Sequence, residues 1–115
     1  MQRGPRFEVV TVEARECVRL DLRGELDLAS VPLLIGPLLA AERAGPALVV
    51  LDVGDMTLLD AAGLRVFLDA ARRAQLHDRR FAIARPDRET ARVLRLTGLD
   101  QAIEVLDQLP PCASA

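Results

Sequence analysis

The 115-residue chain is long enough to bury one two-layer core, and half of its residues are apolar. No apolar run reaches the roughly 18 residues that span a bilayer, and the N-terminal MQRGPRF lacks the apolar stretch of a secretory signal. The sequence therefore predicts a cytoplasmic chain without membrane insertion.

The net charge of −2 is unevenly spread: residues 65–95 hold nine Arg against four acids, whereas residues 1–64 hold six Arg against ten acids. Such asymmetry can mark nucleic-acid binding. With three Phe and neither Tyr nor Trp there is little to stack on bases, and Arg72, Arg73, Arg79 and Arg80 flank a predicted helix end, where the helix dipole favours cations. The expectation is a solvated helix face and no nucleic-acid partner. Cys17 and Cys112 are far apart, neither belongs to a C-x-x-C, and His77 is the sole histidine. No Cys/His metal site can be assembled from them, so no metal and no cofactor is expected.

In chain order, FEVVTV and CVRLDLRG read as strands joined by the short turn EARE. In the second, Val18, Leu20 and Leu22 alternate with Cys17, Arg19 and Asp21, the pattern of a half-buried strand. GELDLAS follows, with Ser30 as N-cap of a helix from Val31 and Pro32 in its first turn. Val31, Leu34, Ile35 and Leu38 give that helix one buried face. Gly36-Pro37 is expected to weaken or kink it, and AGP at 44–46 to end it. ALVVLDV is a continuous apolar run, the mark of a central strand buried on both faces, with Asp52 and Asp55 ending the strand and its turn. After GDMTLLDAAG, Leu64, Phe67, Leu68 and Ala71 repeat the helical spacing. FAIA at 81–84 is a short strand, PDRETARVLRLTG a helix capped by Asp87 and stopped by Gly98, AIEVL a weak strand and DQLPPCASA a loose tail. The order β-β-α-β-α-β-α-β predicts a single α/β domain over 1–115, with a core of about 7–106 and a tail of 107–115. Its sheet should be mixed and mostly parallel, with helices packed against it.

The segment 57–63 raises the functional question. Asp60 precedes the helical spacing and is its natural N-cap, able to accept from the N–H of Ala62 or Gly63. Ala61, Ala62 and Gly63 then form a first turn whose small side chains leave its surface open. Close helix–sheet packing accounts for Gly63, but not for a bare, accessible methyl at Ala61.

GELDLAS, then VVLDVGDMTLLDAAGLRVFLDA, then VLRLTGLDQAIEVL together resemble the STAS domain of anti-sigma factor antagonists, over roughly residues 7–106. The resemblance implies a non-enzymatic protein-binding module. It would dock on an anti-sigma factor, a serine kinase of histidine-kinase-like ATPase fold, and so release a sigma factor. In that family the kinase phosphorylates a hydroxyl directly after the signature aspartate. Here that position is Ala61, which has no oxygen to accept phosphate. Thr57 and Ser30 are the nearest hydroxyls, but displacement from the γ-phosphate line makes them weak substitutes. Docking is expected at Asp27, Thr57, Asp60, Ala61, Ala62, Leu64 and Arg65, with Arg65 facing away from the core stripe and Leu64 shared with it. An accessory or scaffold subunit bound to another ATPase, in a transporter or stress-sensing complex, is the rival reading, and a homodimer stays open. Asp27, Asp60 and Asp55 could also form an acidic cluster able to invite Mg²⁺, but no nucleophile accompanies them and no phosphate-cradling Gly-rich loop is present.

Overall fold

The computed structural model describes residues 6–111. Its elements run β1 (Phe7–Glu13), β2 (Cys17–Leu26), α1 (Val31–Arg43), β3 (Leu48–Leu59), α2 (Ala61–Leu76), β4 (Arg80–Ala84), α3 (Arg88–Leu96), a 3₁₀ turn (Leu99–Gln101) and β5 (Glu104–Leu106). The five strands lie side by side in chain order. β1 and β2 form an antiparallel hairpin, and every later strand joins its predecessor in parallel. The mixed, mostly parallel sheet predicted from the alternation of elements is the one observed.

The three helices share one face of the sheet. Val18, Leu20 and Leu22 of β2, Val49, Leu51 and Val53 of β3, and Phe81 and Ile83 of β4 form a single cluster with Leu34 and Leu38 of α1, Phe67 of α2 and Leu94 of α3. Burying one such Leu or Phe contributes about 1.5–3 kcal/mol, so the helices are held chiefly by these stripes. The opposite face is thinner: Cys17, Leu48, Val50, Ala82 and Ala84 are covered by Leu106 and Leu109 from the end of the chain. This explains why Cys17, expected on the solvent side of its strand, is fully buried. Cys112 lies outside the described residues.

Several boundaries differ from expectation. β2 continues through Glu25 to Leu26, and β3 through Thr57 to Leu59, because the two extensions pair with each other, Leu26 against Leu59. Asp52 and Asp55 therefore sit within β3 instead of ending it. Asp52 is buried and accepts a bidentate pair from Arg85, at 3.0 and 2.8 Å. That bond holds the Arg85 guanidinium charge, raising its pKa. α1 runs unbroken across Gly36-Pro37. Its buried residues are Leu34, Leu38 and Ala41, whereas Ile35 is exposed: the i, i+4, i+7 line points at the sheet and Ile35 lies beside it. α3 begins at Asp87, whose carboxylate accepts from Thr90 N–H at 2.7 Å, and stops at Gly98 with φ +76°.

The arginine-rich segment is not simply a solvated face. Arg73 makes two hydrogen bonds to Glu42, at 2.7 and 2.8 Å, tying α2 to α1, and Arg79 approaches the same carboxylate at 3.8 Å. Arg80 pairs with Glu104 across β4 and β5. Arg72 and Arg80 are exposed as expected, although Arg80 lies on β4 and not on a helix.

Candidate partner-docking site

The sheet brings two acidic residues to one end of the molecule. Leu26 and Leu59 are partners in the last rung of the β2–β3 ladder, so Asp27 and Asp60 leave from neighbouring strand ends. The N–H of Asp60 donates to the carbonyl of Leu26 at 3.2 Å, which fixes the two exits together.

Asp60 caps α2 as its spacing predicts. Its backbone is extended, and one carboxylate oxygen accepts from Ala62 N–H at 2.9 Å and Gly63 N–H at 3.1 Å. Gly63 is buried, and a Cβ there would stand 2.7 Å from Leu26 Cγ and 2.8 Å from Leu59 Cδ1. The helix thus starts almost in contact with the strand ends. Ala61 is exposed, Ala62 half-exposed, and Leu64 half-buried against the core. Arg65 points outward with 68% of its side chain exposed and an ion pair to Asp69 at 3.2 Å, one turn along the helix.

Asp27 and Ser30 build the neighbouring turn. Ser30 sits at the N-cap position of α1, but its backbone is helical and its hydroxyl makes no capping bond. Instead the hydroxyl donates to the Glu25 carbonyl at 2.7 Å and accepts from Asp27 N–H at 2.9 Å. The Asp27 carboxylate accepts from Ser30 N–H at 3.0 Å, and its carbonyl accepts from Val31 N–H. The turn-capping work expected of Ser30 is thus done by Asp27, and Ser30, only 7% exposed, is locked beneath it. Thr57 is exposed but lies on β3 in a groove shared with Asp87 and Thr90, on the α3 side. Asp55 pairs with Arg23 instead of joining Asp27 and Asp60. Among the described residues no three His, Cys, Asp or Glu side chains are grouped as a metal site.

An apolar flank was not anticipated. Leu28 is 76% and Leu33 57% exposed, and Leu33 forms one wall of a hollow of about 260 Å³ beside Asp27. The sequence did hold the signal. Residues 31–41 contain no charged or hydrogen-bonding side chain, and a helix that covers only one face of a sheet must then show apolar surface on its other side.

A protein-family model, "Mlab, STAS domain", matches residues 9–108 of this chain. The chain belongs to the STAS domain family. Several solved structures share this fold over most of the chain. An anti-sigma factor antagonist from Mycobacterium paratuberculosis is 20% identical, with a TM-score of 0.81 over 90% of this chain and 87% of that one. The anti-sigma factor antagonist SpoIIAA in its unphosphorylated form is 19% identical, with a TM-score of 0.70 over 90% of this chain and 89% of that one. The phosphorylated form of SpoIIAA, a Bacillus cell fate determinant, is 21% identical, with a TM-score of 0.67 over 86% and 89%. No curated protein matches the sequence significantly. Among the described residues of this STAS domain, no helix is long and apolar enough to cross a membrane.

Proposed function

We propose that this STAS domain is a non-enzymatic docking module of the anti-sigma factor antagonist type. It binds an anti-sigma factor, a serine kinase of histidine-kinase-like ATPase fold, through the start of α2, and so frees a sigma factor. The observation that carries the proposal is the exposed methyl of Ala61, standing directly after the capping Asp60 at the mouth of a well-formed helix. The surface is open to a partner, yet the position that a kinase would modify holds no hydroxyl.

The consequence is electrostatic. A phosphate at residue 61 would add about −1.5 to −2 charges next to Asp60 and close to Asp27, opposing docking by repulsion and desolvation. With alanine there, the module stays in its binding-competent form. Ser30 cannot stand in, since its hydroxyl is buried and already donates to the Glu25 carbonyl. Thr57 is exposed but sits on the strand, away from the helix start.

Incubation with the cognate kinase and ATP, followed by intact-mass measurement, tests the locked state. No added phosphate is expected for the native sequence and one for Ala61→Ser; a phosphate on Thr57 or Ser30 of the native chain overturns it. Docking is tested by Arg65→Glu, which should weaken partner binding by more than about 1 kcal/mol, roughly fivefold in Kd, with thermal stability unchanged. Unchanged affinity removes the α2 start from the interface. Capture from the source cell separates partner classes: recovery of a transporter or stress-complex ATPase in place of an anti-sigma kinase favours the accessory-subunit reading.

A further inference from the structure

We propose that β1 is a self-association edge, along which two copies of this chain pair their Phe7–Glu13 strands antiparallel about Val10 and join their sheets into one. β1 stands at the end of the five-stranded order, and among the described residues its outer side has no strand beside it. An edge strand presents a row of unsatisfied N–H and C=O groups, and proteins that stay monomeric usually blunt it with charged side chains (Lys above all), a proline, an inward charge or a bulge. Phe7–Glu13 contains no proline and no basic residue, and it pairs with β2 through seven consecutive residues without interruption. Val10, at its centre, is 55% exposed. The opposite edge differs: β5 is three residues long, and its Glu104 is engaged by Arg80.

The hydrogen-bond phase of the hairpin determines what the free edge offers. Ala14 N–H donates to the Cys17 carbonyl at 2.9 Å, and Glu25 N–H to the Arg6 carbonyl at 2.7 Å. Hydrogen-bonded pairs alternate along an antiparallel ladder, so Glu8, Val10 and Val12 bond β2. Phe7, Val9, Thr11 and Glu13 then turn their N–H and C=O groups outward. A two-fold axis through Val10 sets Val9 opposite Thr11 of the second copy and Phe7 opposite Glu13. All four outward residues of each copy fall in hydrogen-bonded pairs. Val10 meets Val10 in a non-bonded pair, where side chains approach most closely.

Charge selects the same arrangement. Antiparallel pairing places Glu8 against Val12 and Glu13 against Phe7, with no like charges opposed. A parallel, in-register pairing would stack each glutamate near its own copy. Glu8 is already offset by Arg23 at 3.9 Å. The interface is isologous, as a closed dimer requires.

The test uses the full chain. Light scattering across micromolar to millimolar concentration should show the mass rising to twice the 12.5 kDa of the chain. Val10→Lys should remain monomeric with an unchanged circular dichroism spectrum, because its ammonium faces Asp21 within the chain but opposes its own copy across the two-fold. If that variant does not fold, amide exchange of the native protein decides. The Val9 and Thr11 amides should slow at least tenfold between dilute and concentrated samples. A native chain that is monomeric throughout, a Val10→Lys dimer, or a dimer whose Val9 and Thr11 amides exchange as fast as in the monomer overturns the proposal.

Discussion

Two helices of this STAS domain follow the same pair of strand ends, α2 starting two residues after Leu59 and α1 five residues after Leu26, yet they begin in opposite ways. At α1 the hydroxyl of Ser30 is turned inward and spent on the Glu25 carbonyl and the Asp27 N–H, and it makes no capping bond of its own. At α2 the carboxylate of Asp60 caps the helix, and the first residue exposed to solvent is a methyl. The contrast separates two duties that one serine could otherwise confuse. Where a hydroxyl is present, it holds the fold and is inaccessible. Where the surface is accessible, there is no hydroxyl.

The sharpest way to break that contrast is Ser30→Ala. It leaves the Glu25 carbonyl and the Asp27 N–H without their buried partner, at a cost of about 1–3 kcal/mol, read as a lower midpoint in urea unfolding. An unchanged midpoint would mean that water replaces the hydroxyl and that Ser30 is not the structural member of the pair. Asp60→Ala should cost about 1 kcal/mol by the same measurement. Its effect should concentrate in faster amide exchange at Ala62 and Gly63. Ala61→Ser, in the absence of kinase, should move stability by less than about 0.5 kcal/mol, since the site is exposed. A larger loss would show residue 61 to be structural. The smallest effect belongs far from both helices. The two hydrogen bonds from Arg80 hold the Glu104 carboxyl below its usual pKa. A depressed folded-state pKa gives stability that is complete above the ordinary glutamate range and is lost as pH falls through the lowered value. Glu104→Gln should therefore remove only the Glu104–Arg80 share of the neutral-pH stability and flatten the acid limb of the stability profile slightly, since the other carboxylates still titrate.

The sequence carried the order of elements because strand and helix periods differ clearly, as in Val18-Leu20-Leu22 against Leu64-Phe67-Ala71. It also carried Asp60 and Asp87 as caps, since a capping bond is local. Long-range pairing was not legible. β2 and β3 extend because Leu26 meets Leu59, two residues 33 positions apart, and nothing in either segment announces the other. The same limit hid the Asp52–Arg85 pair, and it made Ser30 resemble a cap when its bonds run back to Glu25 and Asp27. Ile35 was placed in the core because several neighbouring residues of an uncharged helix fit an apolar stripe, and only the sheet decides which of them face it.

One feature of the β2–β3 ladder reaches into kinetics. Its last rung sends Asp27 and Asp60 out from strands, so their spacing is maintained by backbone bonding and not by a loop that must first be ordered. A partner docking there as proposed would meet a rigid surface and would have little conformational entropy to surrender on contact. Association should thus follow simple second-order behaviour with no slow unimolecular phase, its rate limited by encounter and orientation.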